Sequence, residues 1–139
     1  MIKKRIIPSI LIKDNKAVKG EKFKNHKYIG DPINIVKIFN DKEVDELVIL
    51  DISDKQDLNF DLLEKIAKEA FMPISFGGNL TDMNKIKRIF KIGFEKIILN
   101  SAIFSNKKIV LEAIKFAGAQ SVTIKLDLYY NNGNYFLKD

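Results

Sequence analysis

The stretch "DELVILDISD", residues 45–54, decides the fold. From Leu47 to Ile52 only Asp51 interrupts the apolar run. A run this short and continuous suits a strand buried on both faces, as in a parallel sheet. Similar runs lie at 6–12, 73–76, 96–99 and 121–126. From 47 onward they recur about every 25 residues, close to one strand-plus-helix unit.

Helical patterns fill the intervals. Asp31-Pro32 reads as a helix start, with Asp as N-cap and Pro in the first turn. Ile33, Val36, Ile38 and Phe39 form an apolar stripe behind it. Asn59 opens a second helix, striped by Leu62, Leu63, Ile66, Ala67 and Ala70. Thr81 or Asp82 caps a third, which Gly93 stops, and Ser105 caps a fourth, which Gly118 stops. Alternating strands and helices imply an α/β fold with a parallel sheet and right-handed crossovers. Periodicity leaves two architectures open: a doubly wound sheet or part of a (βα)₈ barrel. A complete barrel takes about 250 residues, and this chain has 139. Asn131-Asn132-Gly133, between Tyr129-Tyr130 and Tyr135-Phe136, signals a terminal hairpin.

The bulk composition sets bounds. The chain is 46% hydrophobic and 30% charged, ordinary for one soluble domain. No run is long enough to span a bilayer, so no membrane partner is expected. The absence of cysteine excludes disulfides and thiol chemistry, and fits a cytoplasmic location. Neither a metal nor a cofactor is expected. The net charge of +6 suits an anionic ligand, or simply a lysine-rich solvated surface. No aromatic-interleaved basic stripe appears, so nucleic acid is not expected as a partner.

Sites in parallel α/β folds form at the carboxyl ends of strands. The runs end in Asp51, in Gly77-Gly78-Asn79, in Asn100-Ser101 and in Asp127. Glycines there let backbone N–H groups approach a phosphate; they also make bare turns. Asp51 could cap its own turn, and Asp127 could start the terminal one. His26, the single histidine, reads as a loop residue.

Together "KRIIPSILIKDNKAVKG", "GDPINIVKIFN", "DELVILDI", "PISFGGN" and "KIILNSA" resemble the cyclase subunit of imidazole glycerol phosphate synthase. The resemblance runs to about Asp127. It implies residues 1–139 as a single incomplete domain, half of a (βα)₈ TIM barrel with about five parallel strands and four helices. It further implies a glutaminase partner whose ammonia crosses the barrel to a phosphorylated ribulosyl-formimino intermediate. Of the two catalytic aspartates implied, Asp127 matches one, but Leu11 stands where the other belongs. Leucine cannot exchange a proton. Lys19 matches a mobile-loop lysine, and Asp51 a substrate-side acid. Gly77, Gly78, Asn100 and Ser101 match one phosphate site, with Asn79 replacing a third glycine. Arg5, Glu46 and Lys96 match part of a charged ring that gates ammonia; a plain salt-bridge cluster would carry the same signs.

The sequence also resembles paralogues with an apolar first-strand position, linked to surface-polysaccharide or flagellar sugar synthesis. The resemblance therefore implies an ammonia-channelling barrel of a glutamine-dependent amidotransferase, feeding a separate sugar amidotransferase and a phosphorylated or nucleotide-linked small molecule. A histidine-pathway cyclase, with Asp14 supplying the missing acid, is a second reading. A third is a truncated half-barrel acting only in binding or self-association.

Overall fold

The computed structural model describes residues 2–54 and 57–138. Five parallel strands form its centre: β1 (Ser9–Lys13), β4 (Leu47–Asp51), β5 (Ile74–Gly77), β6 (Lys96–Leu99) and β7 (Val122–Ile124). A hairpin of β2 (Lys16–Glu21) and β3 (Lys24–Gly30) extends the β1 edge antiparallel, giving the order β3-β2-β1-β4-β5-β6-β7. The sheet is open. Its parallel part supplies the five expected strands. The first starts at Ser9 rather than at residue 6, although Val48 N–H still donates to Pro8 O (2.9 Å) and Asp45 N–H to Ile6 O (3.1 Å).

Four helices of ten or eleven residues cross between these strands: α1 (Pro32–Asp41), α2 (Phe60–Glu69), α3 (Met83–Ile92) and α5 (Lys107–Ala117). A four-residue turn of helix, α4 (Ala102–Ser105), precedes the last. Three caps fall where the sequence places them. Asp31 accepts from the Ile33 and Asn34 amides, Asn59 from Leu62, and Asp82 from Lys85. The fourth differs: Asn106, not Ser105, caps α5 and accepts from Ile109. Ser105 is occupied one turn earlier, where its hydroxyl donates to Ser101 O (3.1 Å) and closes α4.

Strand parity separates the two faces of the sheet. Ile10, Ile12, Leu47, Ile49, Ile74, Phe76, Ile97 and Leu99 are buried under the helices with Val36, Ile66, Ile86, Ile89 and Ile109. Neighbouring helices touch in order, α1 on α2, α2 on α3, α3 on α5, so all four lie on one face. The opposite face carries Leu11, Leu50, Gly77, Ile98 and Thr123, aligned across five strands by the pairing register. A side chain on Gly77 would come within 3.0 Å of both Leu50 and Ile98, so this row closes over the glycine. One face covered by helices and one layered row of alternate residues is half of a barrel wall.

The terminal hairpin forms as the Asn-Gly signal predicts, from β8 (Leu128–Asn131) and β9 (Asn134–Leu137). Asn132 and Gly133 hold the positive φ angles of the turn. Tyr129 stacks on Phe136 and Tyr130 packs against Tyr135.

Candidate functional site

The carboxyl ends of β4, β5, β6 and β7 converge on a cleft of about 360 Å³. It collects Asp51, Gly77, Gly78, Asn79, Asn100 and Ser101, six residues the strand-end reading selects, while Asp127 lies just outside it. Gly78 is required here. Its φ is +134°, and a Cβ would sit 2.4 Å from the Asp51 carbonyl oxygen. The two strand ends meet at backbone contact, which packing alone explains. Asp51 also acts locally. Its Oδ1 accepts from the Ser53 amide (2.9 Å) and shapes the turn that leaves β4. Asn79, at φ +45°, donates from Nδ2 to Ser53 O (3.3 Å), joining the same two loops. Ser101 precedes only the four residues of α4 and makes no side-chain cap, so no long helix aims its N-terminus at the cleft.

Asp127 lies three residues beyond β7 with both carboxylate oxygens engaged. Asn100 Nδ2 donates to Oδ2 (2.8 Å), and Lys125 Nζ pairs with Oδ1. Burial by itself pushes this carboxyl up. The bonds from Lys125 and Asn100, with the charges of Lys125 and Lys138, outweigh it and hold Asp127 below the ordinary aspartate value. Asp127 is therefore an ionised acceptor at neutral pH. Lys125, which also lines the cleft, is the candidate site residue that sequence reading missed. The one hint in the sequence was its position two residues before Asp127.

Lys19 and Leu11 stand apart from the cleft. Lys19 is exposed on β2 opposite Lys27, in an ordered antiparallel hairpin rather than a loop. His26 is likewise on β3, not in a loop, and its ring packs over Gly20. Leu11 sits on the unclothed face in register with Leu50 and Val18. No described acidic residue occupies that row.

The amino-terminal end of the strands carries a second polar cluster. Arg5 Nη2 donates to Glu46 Oε1 (2.6 Å), and Lys96 Nζ bonds Oε1 and Oε2 (3.0 and 3.3 Å). Glu46 is buried. Burial raises its pKa, but the bonds and charges of Lys96 and Arg5 prevail and lower it. All three gate candidates are thus in one contact network. Among the described residues, no group of acids and histidines could hold a metal ion, and no helix is long and apolar enough to cross a membrane.

Fold and site define the class: an open portion of a (βα)₈ barrel with a polar cleft at its strand ends. The chain belongs to the histidine biosynthesis protein family, whose model matches residues 5–138. It is 42% identical over 131 residues to a provisionally named imidazole glycerol phosphate synthase subunit hisF3 of Vibrio vulnificus, covering 92% of this chain and 50% of the relative. It is 37% identical over 130 residues to the imidazole glycerol phosphate synthase subunit HisF of Methanocaldococcus jannaschii, covering 91% and 48%. The Thermococcus onnurineus HisF subunit is also 37% identical, over 98% of this chain and 55% of its own length. The chain spans about half the length of these relatives.

Proposed function

We propose that this chain forms half of an ammonia-channelling barrel in a glutamine-dependent amidotransferase, whose acceptor belongs to surface-sugar synthesis rather than to ring closure. The single observation that carries this reading is Leu11. The residue that would provide one of two proton-transfer groups is a leucine, in register with the apolar Leu50 and Val18 of the two neighbouring strands. Hydrocarbon there cannot titrate or hydrogen-bond to a substrate. In this reading the Arg5–Glu46–Lys96 cluster is the ammonia gate, facing a HisH-type glutaminase. The Asp51–Gly77–Gly78–Asn100–Ser101 cleft receives the anionic part of a phosphorylated or nucleotide-linked acceptor. Asp127 is the one retained catalytic carboxylate, and Lys19, held in the β2–β3 hairpin away from the cleft, takes no part in binding there.

Asp14 is no substitute acid in this scheme. It lies in the β1–β2 turn at φ +49°, with its amide donating to Ser53 Oγ (2.9 Å). It lies beside β1, outside the β4–β7 strand ends that form the cleft, whereas Asp127 is bonded to two residues of the cleft wall, Asn100 and Lys125. The test is turnover of the ribulosyl-formimino substrate with ammonium salts, using this chain co-expressed with the second half of the M. jannaschii HisF subunit. The expected result is no imidazole glycerol phosphate; sustained formation would sink the sugar-pathway reading.

A further inference from the structure

Among the described residues lining the strand-end cleft, Lys125 is the one cation and Asp51 the one anion. Asp51 is tied to its own turn through Ser53. Lys125 reaches the cleft while its ammonium pairs with Asp127, and its side chain remains 35% exposed. Asn100, the other group that holds Asp127, lines the cleft as well. Both restraints on the carboxylate therefore face the space a ligand enters. The remaining polar side chains there include the neutral Ser53, Thr81, Ser101 and Ser105.

We propose that Lys125 is a shared cation: it binds the phosphate group of a ligand in the cleft and is thereby withdrawn from Asp127, so that ligand entry releases the carboxylate for proton transfer. The choice of phosphate follows from charge. A dianion competes for one ammonium more strongly than a single carboxylate does. The movement is small, because Lys125 N–H donates to Leu99 O (2.9 Å) and anchors the backbone to β6. Only the side chain turns. Removing a cation from Asp127 favours its protonated form, while Asn100 keeps it in place. This proposal rests on the reading of the cleft as an anion site.

The experiment is a titration of inorganic phosphate into the 139-residue chain by calorimetry at fixed ionic strength, with circular dichroism to confirm that each variant is folded. Lys125→Met, or Lys125→Gln where the first does not fold, weakens binding at least tenfold. Asp127→Asn tightens it severalfold, because the competitor is gone. In the Lys125→Met background, Asp127→Asn no longer tightens it. Lys85→Ala, which alters a cation bonded to Thr81 Oγ1 and Asn79 O beside the cleft, changes binding by less than twofold. If Asp127→Asn tightens binding equally with and without Lys125, the effect is general electrostatics and the shared cation is refuted. If phosphate binds but Lys125→Met has no effect, the anion site stands and this proposal falls. If neither wild type nor Asp127→Asn binds phosphate, both fall.

Discussion

The two ends of the sheet each hold a carboxylate between two donors, yet they are built differently. Glu46 is buried, and its partners come from 41 and 50 residues away, tying the segment before β1 to the starts of β4 and β6. Asp127 is half-buried, and its cation lies two residues along the chain. The first arrangement spans the sheet and is costly to break. The second is local and can be exchanged for a ligand. The difference separates a structural tie with a candidate gating role from a candidate reactive group.

The sharpest way to break the comparison is Glu46→Ala. It leaves Lys96 and Arg5 without their shared acceptor, and stability falls by about 2 kcal/mol in urea unfolding. The loss stays below the roughly 3–5 kcal/mol typical of fully buried pairs because both cations keep access to water. A loss near zero would make the cluster incidental. Acid provides a second probe. The folded pKa of Glu46 is depressed, so its stabilisation is present above the ordinary value of 4.5 and is lost as pH falls through the lower folded value. Thermal stability below about pH 4.5 therefore drops more steeply in wild type than in Glu46→Gln.

Asp127→Asn has a smaller effect, within about 1 kcal/mol, since an amide keeps the acceptor for Asn100 and Lys125 turns to solvent. A cost matching that of Glu46→Ala would erase the contrast between the ends. The smallest change is expected at Lys108→Ala, which removes an exposed i,i+4 pair with Glu112 and shifts stability by less than about 0.5 kcal/mol in the same unfolding assay.

Much of this was legible in the sequence because burial leaves periodic marks. All five parallel strands and the four longer helices announce themselves through apolar runs and caps. The β2–β3 hairpin does not, since Ala17 and Val18 are its only buried apolar residues and β3 is almost wholly exposed. Its turn is also disguised: Lys22 and Phe23 hold positive φ without a glycine. The strand-end rule found Asp51, Gly77, Gly78 and Asn100 because parallel strands all open their carboxyl ends to one side. Lys125 escaped because a single cleft lysine does not stand out among 24 basic residues until the fold places it on Asp127. Ser105 misled because serine and asparagine both cap helices, and only the intervening α4 decides between them.

The most direct measurement sits at Leu11. In the assembly with the second half of the M. jannaschii subunit, Leu11→Asp is expected to produce imidazole glycerol phosphate from the ribulosyl-formimino substrate and ammonium, while the unaltered chain produces none. Equal turnover with and without the substitution would contradict the claim that this position separates ammonia delivery from ring closure.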